Sequence, residues 1–147
     1  MAVVAAALAA AAVTGGGYAV AAVNDHDRVA AAPLGPGDVT VEIAIEHSRF
    51  VPDHLRVVAG TRLRFYVVNG DPIGHELITG GPEVHARHQS GTEAHHGSIA
   101  GEVSVGPDET GMTTFTFGEP GTFVFACHLP GHYAYGMHGE IEVVAAT

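Results

Sequence analysis

From Val39 onward, apolar residues fall on every second position. Val39, Val41, Ile43 and Ile45 alternate with Thr40, Glu42, Ala44 and Glu46. A period of two predicts a strand with one buried face. Phe50-Val51-Pro52-Asp53 breaks the run. Leu55–Val58 then predicts a short strand and Ala59-Gly60-Thr61 a turn. Leu63, Phe65 and Val67 alternate with Arg62, Arg64 and Tyr66, and this strand ends at Asn69-Gly70-Asp71-Pro72. Further on, Glu102–Val105 and Thr113–Phe117 carry strand patterns. After the Pro120-Gly121 turn, Phe123, Phe125 and Cys127 share a face, and Glu140–Val144 closes the series. After position 37 no amphipathic helix of ten or more residues stands out. Short strands punctuated by turns predict an all-β domain, an antiparallel sandwich or barrel.

Two stretches depart from that pattern. Residues 2–23 carry no charge and are rich in Ala, so segment 1–23 is a signal peptide or a membrane anchor. Ala19-Val20-Ala21 supplies the small residues of a cleavage site, which favours the signal. The missing positive start favours the anchor, while Gly15, Gly16 and Gly17 leave the stretch only modestly hydrophobic for a permanent span. On either account the rest of the chain is exported: periplasmic, extracellular, or anchored and facing outward. Residues 24–37 mix charge, Ala, Pro and Gly without periodicity and predict a linker. The domain proper runs over 38–147. Within it, 79–101 is a polar, His-rich insertion too long for a hairpin turn.

Charge narrows the function classes. The net charge is −10 with His neutral, and the six basic residues are all Arg, which excludes a nucleic-acid role because no run of phosphates could be neutralised. An acidic surface instead suits protein partners bearing basic patches. The single cysteine, Cys127, cannot close an internal disulfide, so it is a free thiol, an intermolecular link or a metal ligand.

The residues after it favour the ligand. Cys127, His132 and Met137 form a C-x4-H-x4-M pattern on a loop between two predicted strands. Thiolate, imidazole and thioether are the donors from which a blue copper site is built. Zinc would draw on close Cys pairs, and a lone Cys offers none. A second imidazole must come from elsewhere. His75 is the best candidate, because it follows a strand by the turn Asp71-Pro72-Ile73-Gly74.

With these motifs in view, the sequence resembles the cupredoxins, the plastocyanin and azurin family of small blue copper proteins, over about residues 38–145. Phe50-x-Pro52, Leu55, Gly60-Thr61 and Asn69-x-Asp71-x-x-x-His75 are similar to that family's first-ligand region. Pro120-Gly121-Thr122-Phe123, Cys127, His132 and Met137 are similar to its ligand loop, with a Cys-to-His spacing nearer azurin than plastocyanin. The resemblance implies a Greek-key β-sandwich and one type 1 copper per chain. His75, Cys127 and His132 would be the strong ligands and Met137 the weak axial one. The implied function is one-electron transfer with transient redox protein partners, not enzymatic catalysis.

Glu76 departs from the family, many of whose members place Asn or Ser after the first His, and it bears on how the ligands are held. His128 follows Cys127 as in multicopper oxidases, but no two His stand two residues apart in this chain, so the oxidase cluster lacks its usual pairs. Tyr133 and Tyr135 are candidates for the rim of a docking surface. The insertion adds His85, His88, His95 and His96, a candidate second metal site or a copper-capture loop. The alternative function is therefore a copper-binding or delivery protein that uses this loop.

Overall fold

The computed structural model describes residues 32–90 and 99–147. The expected signal or anchor and the first part of the expected linker lie outside these residues, as do His95 and His96.

Alternation places the first strands as expected. In β1 (Gly37–Glu46), Val41, Ile43 and Ile45 face inward, and in β4 (Thr61–Asn69), Leu63, Phe65 and Val67 do the same. These two strands pair along nine positions, from Gly37 opposite Thr61 to Ile45 opposite Asn69. Around them, β2 (Arg49–Val51) pairs with β1 and β7 (Thr110–Phe117) with β4, giving a four-stranded sheet in the order β2-β1-β4-β7. The second sheet is built from β3 (His54–Val58), β9 (His138–Val144), β8 (Gly121–Ala126), β5 (His75–Gly80) and β6 (Glu102–Val105), in the order β3-β9-β8-β5-β6. Apolar side chains of both sheets, among them Ile43, Phe65, Phe117, Leu77, Phe125 and Ile141, close one core between them. This is the cupredoxin-like sandwich.

The expectation of an antiparallel arrangement is corrected at two places. β1 and β4 run parallel, and so do β3 and β9. Parallel neighbours cannot be joined by a tight turn. Here other strands separate each pair in sequence, and the chain crosses between the sheets before it returns. The described end of the 24–37 stretch docks on the sandwich. Leu34 pairs with Val57, donating its N–H to Arg56 O at 2.9 Å and accepting from Val58 at 2.8 Å.

The insertion also differs from a plain loop. Pro82–Ser90 forms a helix, α1, opened by Pro82 with Glu83 in its first turn and Arg87 and His88 in its last. Its inward positions are Val84, His85 and His88. Val84 packs over Gly80, where a Cβ would stand 2.7 Å from the Val84 Cγ2. A helix whose buried face is mostly imidazole shows little apolar periodicity, which hides it from a hydrophobic pattern.

The β8–β9 pairing carries another close approach. Gly139 lies opposite Phe125, and a Cβ there would stand 2.2 Å from the Phe125 ring and 2.5 Å from Asp53 O. Only a residue without a side chain lets β9 lie this close to the ring as it leaves the ligand loop.

Candidate metal centre

Two connections at one end of the sandwich bring the expected ligands together. His75 opens β5, directly after the turn that follows β4. Cys127 follows the last residue of β8, and Met137 precedes the first of β9. The segment between them is a chain of turns stitched by its own backbone. His132 donates its N–H to Leu129 O at 3.0 Å, Met137 to His132 O at 3.0 Å, and Cys127 to Met137 O at 3.1 Å. Gly131 and Gly136 supply the positive φ angles, +86° and +90°, that these reversals need. Arg49 of β2 donates to Tyr135 O, pinning the loop to the opposite sheet.

His75 Nδ1 and His132 Nδ1 face each other at 3.2 Å, and Cys127 Sγ stands 3.3 Å from His132 Nδ1. Among the described residues, these three are the only group of His, Cys, Asp or Glu with donor atoms all within 4.8 Å of one another that could hold a metal. Cys127 and Met137 are fully buried and belong to the core cluster that contains Phe50 and Phe125. His75 is buried, while His132 is half-exposed.

The surroundings fix the chemistry of each donor. Asp71 accepts the backbone N–H groups of His47 and Ser48, both at 2.7 Å, and stands 3.0 Å from His75 Nε2. Burial opposes ionisation of Asp71, but the Ser48 and His47 amides and the His75 ring outweigh it and hold the carboxyl below its ordinary value. An ionised carboxylate only accepts, so His75 Nε2 carries the proton and Nδ1 offers its lone pair to the site. Burial, with a smaller contribution from His132, holds His75 below its ordinary value against the pull of Asp71. The ring is therefore neutral, as a ligand must be.

Burial pushes the Cys127 thiol up to about 11, helped by the Glu76 carboxyl, while backbone hydrogen bonds from Glu76 and Leu129 favour the thiolate. Glu76 itself is buried, and its Oε1 accepts the His128 N–H at 2.8 Å. One residue thus donates backbone to the sulfur and accepts the amide that follows it.

Sequence reasoning placed Asp71 in a turn and in the motif Asn69-x-Asp71-x-x-x-His75, without a role of its own. Its spacing four residues before His75 was visible, but its role as the partner of the ring follows from the fold. Other histidines fall elsewhere. His85 and His88 lie on the inner face of α1, and His85 Nδ1 stands 2.9 Å from His128 Nε2. His88 Nε2 lies 3.4 Å from Glu102 Oε2. His128 stacks on Tyr133 with centroids 5.3 Å apart and planes 10° from parallel. His138 also packs near Tyr133, with ring centroids 5.1 Å apart.

Comparison with known proteins agrees with this geometry. Residues 37–144 match the family of copper binding proteins described as plastocyanin/azurin. The chain is 32% identical over 137 residues to the copper-resistant cuproprotein CopI of Rubrivivax gelatinosus, covering 86% of this chain and 82% of that one. Among solved structures, the reduced auracyanin of Roseiflexus castenholzii superposes with a TM-score of 0.59 at 29% identity, over 71% of this chain and 96% of its own. Auracyanin A, a blue copper protein of Chloroflexus aurantiacus, does so with a TM-score of 0.59 at 27% identity, over 73% and 99%. The chain belongs to the plastocyanin/azurin family of copper-binding proteins, the cupredoxins, and copper is its cofactor.

Proposed function

We propose that the protein is a blue copper electron carrier, with His75, Cys127 and His132 as the strong ligands and Met137 as the weak axial one. The observation that carries this is the convergence of two ring nitrogens and a buried sulfur within 4.8 Å, beside a buried thioether residue. When bound, the copper takes up one electron and gives it away.

The chain's own residues do the rest. Asp71 sets the tautomer and direction of the His75 ring. The Glu76 and Leu129 amides hold the sulfur in place and disperse thiolate charge. Phe50 and Phe125, with ring centroids 5.3 Å apart, belong to the apolar cluster that surrounds Cys127 and keeps water away. Outer-sphere transfer needs no open coordination position for a substrate. It needs one ligand edge near solvent, and the half-exposed His132 supplies it. Tyr135, 75% exposed, and Tyr133, 37% exposed, border that edge on the same loop and offer a rim for a transient redox partner. Auracyanin A, named a blue copper protein, supports this reading, as does the small spacing of the donors.

Likeness to CopI favours a second reading, in which the same site serves copper resistance by binding the ion outside the cytoplasm. The uncharged segment 1–23 supports export for either role, as a cleaved signal or as an anchor. The copper-loaded, oxidised protein should show an intense visible band that disappears in Cys127→Ser, and should pass electrons reversibly to a small redox protein. An intense band lost in Cys127→Ser, without reversible electron exchange with the redox protein, would leave the resistance reading alone.

A further inference from the structure

We propose that His85 and His128 form a second copper site, which binds Cu(II) through His85 Nδ1 and His128 Nε2. The two rings stand as the His75 and His132 rings do. In the primary pair the facing nitrogens are 3.2 Å apart, the centroids 5.0 Å and the tilt 53°; in the second pair the values are 2.9 Å, 5.2 Å and 51°.

The outer partners match as well. His75 is oriented by Asp71 at its far nitrogen, and His85 by the Val124 carbonyl, 3.1 Å from Nε2. A carbonyl only accepts, so His85 Nε2 carries the proton and Nδ1 presents a lone pair to His128. Burial holds His85 below its ordinary value against the Val124 and Gly80 backbone contacts, so the ring is neutral near pH 7. Without metal, the proton shared between the facing nitrogens makes a hydrogen bond. Binding moves that proton to His128 Nδ1 and leaves both facing lone pairs for the ion.

Imidazole as the ligand favours Cu(II), and the spacing is compatible with it. Two ring nitrogens bonded at about 2.0–2.1 Å stand about 2.9 Å apart across a right angle and about 3.3 Å apart across a tetrahedral one. The right angle is that of tetragonal Cu(II), which also binds imidazole most tightly among the common divalent ions. His128 is half-buried, and water would complete the set. His88 stacks on His128 with centroids 5.9 Å apart and holds its plane. The site differs from one made by the insertion alone, because its second ligand comes from the residue after Cys127.

Equilibrium dialysis of the copper-loaded protein against Cu(II), with electron paramagnetic resonance of the product, tests this. The parent should take up an added equivalent with a non-blue signal split by two nitrogens. His85→Gln should bind one Cu(II) fewer and keep the visible band of the primary site. Equal uptake by parent and variant, or no uptake by the parent beyond the first copper, overturns the proposal. A measurement without mutation guards against misfolding of the variant. Trace Cu(II) added to the reduced, copper-loaded protein should first broaden the ring resonances of His85 and His128. Broadening that begins at other histidines also overturns it.

Discussion

Glu76 Oε1 accepts the backbone N–H of His128 at 2.8 Å, joining the strand that begins with His75 to the residue that follows Cys127. The contact links two segments 52 residues apart in the sequence. Replacing Glu76 with Ala leaves a sheltered amide without that acceptor, at a cost of about 1–3 kcal/mol. Glu76→Ala should therefore lower the urea midpoint of the metal-free protein, and Glu76→Gln, which keeps an acceptor oxygen, should recover most of the loss. Equal losses in both variants would show that this hydrogen bond is not what Glu76 contributes.

Asp71→Asn keeps the size of the side chain but removes the charged acceptor that orients His75. Loss of such an outer partner typically costs about 10–100-fold in metal affinity. Competition with a chelator of known strength should find copper affinity reduced by that factor. Unchanged affinity would mean the ring is positioned by packing alone.

The same carboxyl sets an acid limit on the metal-free protein. Its folded value lies below the ordinary 3.8, so the ionised form favours the fold. That stability is fully present above the unfolded value and is lost as pH falls through the folded one. Unfolding of the metal-free protein, followed by circular dichroism from pH 5 downward, should be steeper with pH in the parent than in Asp71→Asn. Parallel curves would refute the assignment.

Copper uptake should release a proton from Cys127. Burial pushes the free thiol up to about 11 and the metal binds the thiolate, so below that value each copper displaces a proton from the sulfur. Between about pH 7 and 10, where His75 is already neutral, this step should raise the apparent affinity about tenfold per pH unit. Calorimetry in buffers of different ionisation enthalpy should find that proton in the parent and miss it in Cys127→Ser.

Gly139→Ala places a methyl group within 2.2 Å of the Phe125 ring and 2.5 Å of a backbone carbonyl. Overpacking of this kind costs about 1–3 kcal/mol. Thermal unfolding should show the loss, while Gly118→Ala, whose Cβ meets nothing within 4 Å, should leave the midpoint nearly unchanged.

The strands with one wet face were legible in the sequence, because Val41 and Leu63 sit between polar neighbours that are exposed or half-buried. β5 was not. All six of its residues are buried, and its sequence mixes His75, Glu76 and Thr79 with Leu77 and Ile78, so no alternation marks it. The polar members are tolerated because they are paired, Thr79 Oγ1 with Val124 O at 3.1 Å and Glu76 with His128. The proposed donors Cys127, His132 and Met137 could be picked out by spacing, since they are close in the chain. Asp71 and the amides aimed at the sulfur could not, because backbone direction is set only once both sheets are in place.

The Arg49 contact with Tyr135 gives the ligand loop a second mooring. Its two ends hang from β8 and β9, and Tyr135 is held from β2 in the facing sheet. Sliding one layer against the other would drag the loop with it, so the layers and the loop form a single stiff frame. On the proposed electron-carrier reading, a cage held in such a frame keeps nearly the same shape in both oxidation states, and little energy is spent reshaping it each time an electron arrives or leaves.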